Sequence, residues 1–222
     1  MLLEIRAAPP FMTNSFVLAS ETTREGVLID PGDAVEDLLE VVRAEKLTIG
    51  HILLTHAHLD HVSGVGRAKA ATGAPVVLHA GDRPLYEAVV EQGMMFGLRV
   101  ERQPPVDAVY DANARFTFGE YEIRVHHTPG HSPGGVCLQV GPAAQPGLAQ
   151  PETTGGTTLI VGDTLFAGSI GRTDLPGGDY DTLIHSIRTV LFAFGDDAVV
   201  YPGHGDRTTI GRERRTNSFL QD

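Results

Sequence analysis

In the first half of the chain, short apolar runs alternate with stretches whose apolar residues recur every three or four positions. The runs at 2–6, 15–19, 26–30, 48–54 and 74–79 are rich in Val, Ile and Leu, and predict strands. Between them, Val35, Leu38, Leu39 and Val42 fall at i, i+3, i+4 and i+7, one face of a helix. Asp33, with Glu36 three residues on, has the capping-box pattern that would start it. Further helices are expected at 62–72 and 83–92. The 93–109 segment has no period. Its Met94, Met95 and Phe96 read either as a substrate entrance or, preferably, as loop side chains folded onto the core. After Tyr110 the pattern turns to strands in succession. The runs 115–118 and 121–127 meet across Gly119-Glu120 as a hairpin, and 136–140 pairs with 158–161. The intervening 141–156, rich in Pro, Gly and Ala, reads as a mobile surface tip in preference to a substrate lid. A helix at 181–194, with Leu183, Ile184, Ile187, Val190 and Leu191 on its inner face, precedes a last strand at 198–201. Strands alternating with helices, then strands in series, with no linker and no repeat, predict an α/β chain forming one domain over 1–222.

One strand end is unlike the others. After Ile52-Leu53-Leu54 comes Thr55-His56-Ala57-His58-Leu59-Asp60-His61, which places three imidazoles and a carboxylate within six residues. Zinc and similar divalent ions take these ligands. Two histidines sharing a helical face would be four apart. His56 and His58 are two apart, which puts both on one side of an extended segment. Asp60 and His61 then point elsewhere, toward a second ion. Three later strand ends each present one ligand-type side chain among glycines: Gly130-His131-Ser132, Gly162-Asp163-Thr164 and Gly203-His204-Gly205. Singly each is an ordinary turn. In series, after a dense His/Asp motif, they point to a metal centre. Asp30 reads either as the turn residue before Pro31-Gly32 or as a carboxylate that orients a ligand histidine. His79 reads as structural.

Charge narrows the partners. A formal net charge of -11 disfavours nucleic acid and anionic membrane as general partners and still allows a local basic pocket for a small anionic substrate. No run approaches 18 apolar residues and no secretory leader opens the chain, so a cytoplasmic protein is expected. Cys137 is the single cysteine, which excludes an internal disulfide and a multi-cysteine metal site. Its place in the 136–140 strand predicts burial and no catalytic role.

With His56, His58, Asp60 and His61 followed in order by His131, Asp163 and His204, the chain resembles the metallo-β-lactamase superfamily over nearly its whole length. Within it the resemblance is to the glyoxalase II (hydroxyacylglutathione hydrolase) branch, short bacterial type. That resemblance implies a four-layer αββα sandwich with two metal sites along one edge. It implies a first ion on His56, His58 and His131, a second on Asp60, His61 and His204, and Asp163 bridging both. The implied metal is Zn2+, with Fe or Mn as substitutes, and Asp60 would also orient a bridging hydroxide. The implied reaction is hydrolysis of a hydroxyacyl-glutathione thioester by that hydroxide. Its thiolate, of ordinary pKa about 8.5, leaves without obligatory protonation. Full-length glyoxalase II enzymes grip glutathione with a separate C-terminal helical region. Here eighteen residues follow His204, and Arg214 and Arg215 read either as partial substitutes for that grip or, preferably, as solvated charges on a terminal segment. Gly171-Arg172-Thr173-Asp174 resembles the matching segment of persulfide dioxygenases, single-iron relatives whose ligands would be His56, His131 and Asp163. Arg172 is thereby a candidate for binding glutathione carboxylates. The thioester hydrolase is preferred because the residues of the second site are complete.

Overall fold

A computed structural model describes residues 1–111, 114–143 and 157–221. They fall into two compact units, Met1–Asp111 and Ala112–Asp222.

The first unit runs β1 (Leu2–Arg6), β2 (Ser15–Ala19), β3 (Glu25–Ile29), α1 (Val35–Ala44), β4 (Thr48–Leu53), α2 (Leu59–Val62), α3 (Val65–Thr72), β5 (Val76–Leu78), α4 (Arg83–Glu87), α5 (Val89–Met95) and β6 (Ala108–Val109). Its six strands form one sheet in sequence order. β1, β2 and β3 are antiparallel, and β3 through β6 are parallel. β2 is buried at every position, and this explains its continuous apolar run in place of an alternating one. Leu38 and Leu39 of α1 pack with Val17, Leu28, Ile52, Leu54 and Val76. Each fully buried Leu or Ile of this kind contributes about 1.5–3 kcal/mol. Because β3 and β4 are parallel neighbours, with Ile29 opposite Leu53, Asp30 and the 55–61 loop leave the sheet side by side.

Three expectations change here. α1 is capped at Ala34 without a side-chain bond, because the Asp33 carboxylate instead accepts from Ser63 Oγ at 3.0 Å. The 62–72 helix is broken at Ser63-Gly64 into α2 and α3. There Gly64 N donates to Pro31 O at 2.9 Å, and a Cβ on Gly64 would overlap the Gly32 carbonyl. The 83–92 helix breaks at Ala88 and runs on to Met95. Met94, Met95 and Phe96 are exposed and not folded onto the core, although the Phe96 ring meets Phe11 edge-on at 5.4 Å.

The second unit runs β7 (Arg115–Phe118), β8 (Tyr121–His127), β9 (Val136–Pro142), β10 (Thr158–Gly162), β11 (Leu165–Phe166), β12 (Ser169–Ile170), α6 (Tyr180–Thr189), β13 (Val199–Pro202), β14 (Thr208–Thr209) and α7 (Ile210–Thr216). The sheet order is β14-β13-β10-β9-β8-β7, with only the β10–β13 pair parallel. The hairpin closes with Phe118 opposite Tyr121. Of the 141–156 segment, Gly141 and Pro142 complete β9, and residues 144–156 lie outside the described residues. Asp179 caps α6 by accepting from Thr182 N at 2.8 Å, and Leu183 and Ile187 pack with Cys137, Leu159, Val161 and Val200. The helix stops at Thr189, short of the expected 194. A 3-10 turn over Leu191–Phe194 follows, ended by Gly195 at φ +80°. α7 was not expected, because IGRERRT has no apolar period. Thr209 caps it, and Arg214 and Arg215 tie it to Asp196 at 3.3 and 3.1 Å. Among the described residues no helix is long and apolar enough to cross a membrane.

Candidate metal centre

On the first unit the site is built around Asp30. Its φ of +47° is a conformation that few residues besides Gly, Asn and Asp adopt. The turn is held by Ser15 Oγ and Gly32 N, which donate to the Asp30 carbonyl at 2.6 and 2.8 Å. The carboxylate is fully buried. Oδ1 accepts from Thr55 N at 2.7 Å, and Oδ2 accepts from Thr55 Oγ1 at 2.6 Å and His61 Nδ1 at 2.9 Å. A hydroxyl has one proton, and that of Thr55 goes to Asp30. At the 3.1 Å contact between Thr55 Oγ1 and His56 Nδ1, the imidazole must therefore donate. Both His56 and His61 then carry the proton on Nδ1 and present an Nε2 lone pair. The His56 ring lies 4.9 Å from His58 and 4.0 Å from His61, centroid to centroid, and all three rings are buried. Asp60 and His61 sit on the single turn of α2, where the spacing had pointed to loop. Asp60 Oδ2 accepts from Thr13 Oγ1 at 2.6 Å and lies 3.4 Å from His61 Nε2.

The second unit offers His131, Asp163 and His204. His131 Nδ1 donates to the Arg172 carbonyl at 2.8 Å, again leaving Nε2 as the ligand atom. Asp163 Oδ2 lies 3.7 Å from His131 Nε2 and 3.5 Å from His204 Nε2. Gly171 runs directly beneath this group, where a Cβ would overlap the Asp163 carbonyl and come within 3.1 Å of His131 Nδ1. The Arg172 side chain is more than half exposed and holds Asp174 with two bonds, at 2.7 and 2.8 Å. This keeps the Asp174 carboxyl at about 2. The contact Arg172 makes with His131 is through its backbone carbonyl. Cys137 is buried, and burial pushes its thiol well up.

These residues fit a divalent ion. Nitrogen–oxygen separations of 3.4, 3.5 and 3.7 Å are long for hydrogen bonds. They are close to the edge, about 3.3–3.6 Å, of a tetrahedron of ligands bonded at about 2.0–2.2 Å to one ion. Imidazole nitrogen and carboxylate oxygen are the donors such an ion takes, and no thiolate competes.

The residues that hold the ligand loop were not visible as motifs. Asp82, fully buried, accepts from Ala57 N at 2.9 Å. Gln92 accepts from Leu59 N at 3.0 Å and donates to the Ala57 carbonyl at 3.1 Å. His79 caps a 3-10 turn by accepting from Gly81 N.

Known proteins resemble this chain over most of its length. The sequence model described as the metallo-beta-lactamase superfamily matches residues 8–143 and 138–204. The hydroxyacylglutathione hydrolase GloC of Haemophilus influenzae is 36% identical over 227 residues, covering 99% of this chain and 98% of that protein. Among solved structures, the BLEG-1 B3 metallo-beta-lactamase is similar at a TM-score of 0.85 and 35% identity, with 100% of both chains covered. TTHA1623 in a di-iron-bound form gives 0.81 at 38% identity, covering 98% of this chain and 100% of that one.

Proposed function

We infer function from one premise: the chain belongs to the metallo-β-lactamase superfamily and has that family's α/β sandwich fold. It is a metallo-hydrolase of that superfamily. We propose that it is a glyoxalase II-like thioesterase that cleaves a hydroxyacyl-glutathione-type thioester, a small-molecule substrate. Following the family's motif order, His56, His58 and His131 would hold one divalent ion, Asp60, His61 and His204 a second, and Asp163 would serve both. The two compact units would then act as one catalytic domain. Zinc is the first candidate, and iron and manganese suit the same donors. Ions bound there would supply Lewis acidity toward the thioester carbonyl and a water acidified toward pKa ~7.

The chain's own residues do the rest. Asp60, with its carboxylate fixed by Thr13, orients the attacking water. His56, His61 and His131 are kept in the Nδ1–H form by Thr55, Asp30 and the Arg172 carbonyl. The water gives up a proton to solvent and its oxygen bonds to the carbonyl carbon; the C–S bond then breaks, the thiolate departs without a protein acid, and the acid product ionises to a carboxylate. No serine or cysteine nucleophile is required, in keeping with the buried Cys137.

The observation that carries this reading is the ligand spacing, 3.4 Å between Asp60 and His61 and 3.5 Å between His204 and Asp163. A single-iron persulfide dioxygenase would use His56, His131 and Asp163 as its ligands and take no second ion, although such enzymes share the HxHxDH motif. The kinship with GloC, a protein named a hydroxyacylglutathione hydrolase, supports the same choice. The test is turnover of a hydroxyacyl-glutathione thioester, lost with a chelator and restored by metal. Oxygen uptake with glutathione persulfide, or turnover of a β-lactam, in the absence of thioesterase activity would overturn the proposal.

A further inference from the structure

We propose that Thr13 is the positioning residue for Asp60, and through it for the ion that Asp60 would hold. The inference rests on reading Asp60 as a metal ligand. Thr13 lies 47 residues away in sequence and belongs to no motif, yet its side chain is aimed at that carboxylate. The loop before it is bent to bring it there. Met12 takes φ +58°, costly for a residue with a side chain, and its N–H donates to the Ala8 carbonyl at 3.0 Å. Thr13 is itself only 2% exposed.

The contact is 2.6 Å between Thr13 Oγ1 and Asp60 Oδ2, the length of a hydroxyl donating to an ionised carboxylate. The same Oδ2 faces His61 Nε2 at 3.4 Å, so it lies on the ligand side of the group. One proton from Thr13 therefore fixes the carboxylate's rotation. Asp60 needs such a holder because it stands on the one-turn α2 helix, whose backbone is packed against Gly32. His61, beside it, has its own holder in Asp30. The two ligands that the first unit gives to the second ion are thus each held by a different residue. Removing Thr13's hydroxyl should weaken the second ion and spare the first.

The experiment compares wild type, Thr13→Val, Thr13→Ser and Asp60→Asn by calorimetric titration of metal-free protein with Zn2+, reading ions per chain and affinity for each. Wild type and Thr13→Ser are expected to bind two ions. Thr13→Val should keep the first at wild-type affinity and bind the second ~10–100-fold more weakly. Wild-type affinity for both ions in Thr13→Val would overturn the proposal, as would Thr13→Ser behaving like Thr13→Val. Should Thr13→Val fail to melt cooperatively without metal, Thr13→Ala removes the same hydroxyl and is read in the same way. Asp60→Asn separates the two levels. If it keeps the second ion, the reading of Asp60 as ligand is wrong; if it loses that ion while Thr13→Val does not, only the role of Thr13 falls.

Discussion

Replacing Asp30 with Asn tests the proton arrangement of the first unit while leaving its volume unchanged. The carboxylate receives three hydrogen bonds at 2.6–2.9 Å and has no access to water. An amide has one accepting oxygen and one donating nitrogen, so it cannot reproduce them. With nitrogen at the Oδ1 position it opposes the Thr55 N–H, donor against donor. With nitrogen at the Oδ2 position it donates to Thr55 and His61. The Thr55 proton then turns to His56 Nδ1, and both imidazoles shift their protons to Nε2, the atoms meant for metal. Either orientation leaves at least one buried donor unmatched, which costs about 1–3 kcal/mol in the metal-free protein. Loss of a carboxylate behind a ligand histidine should also weaken metal binding ~10–100-fold, or about 1.4–2.8 kcal/mol at 1.4 kcal/mol per tenfold. Urea unfolding of the metal-free protein and Zn2+ titration measure the two effects separately. An Asp30→Asn protein with wild-type midpoint and wild-type affinity would refute the reasoning.

Gly171→Ala should destabilise the fold by several kcal/mol and lower metal content, because its Cβ would overlap the backbone oxygen of Asp163; unfolding and elemental analysis check this. Cys137 should be inert to a thiol reagent until denaturant is added, since the group is buried and its thiol is pushed up. Arg172→Ala should leave the urea midpoint near that of the wild type, as expected for an exposed ion pair. Asp174 holds its proton less tightly in the folded chain than in an open one. The pair therefore stabilises the fold above pH 3.8 and is lost as pH falls toward 2. In Arg172→Ala an NMR titration should find the Asp174 value raised toward the ordinary 3.8, with the backbone hydrogen bond still holding it somewhat low. If the Arg172 guanidinium also binds glutathione, KM for the thioester should rise more than kcat falls, and an unchanged KM would remove it from the substrate.

Much of the fold was legible because its signals are local. The hairpin over Gly119-Glu120 and the buried run of β2 each follow from a few neighbouring residues. The ligand-type side chains stand out for the same reason, as His and Asp at strand ends among glycines. What holds them was not legible. Thr13, Asp82 and Gln92 reach the 55–61 loop from 25 to 47 residues away, and nothing beside them in sequence marks the contact. Asp33 looked like a helix cap, and only the approach of Ser63 shows why it is not. The break at Gly64 likewise depends on a distant backbone, that of Pro31 and Gly32. α7 escaped notice because Thr209, Asp196 and Phe192 hold it, in place of an apolar stripe.

We propose that this chain binds two divalent ions through its His and Asp motif residues. Elemental analysis of protein purified without added metal, expressed as atoms per chain, tests it most directly. Close to two atoms per chain are expected, zinc or a mixture with iron or manganese, falling toward one in Asp60→Asn. A single iron per chain in the wild type, unchanged in Asp60→Asn, would contradict it.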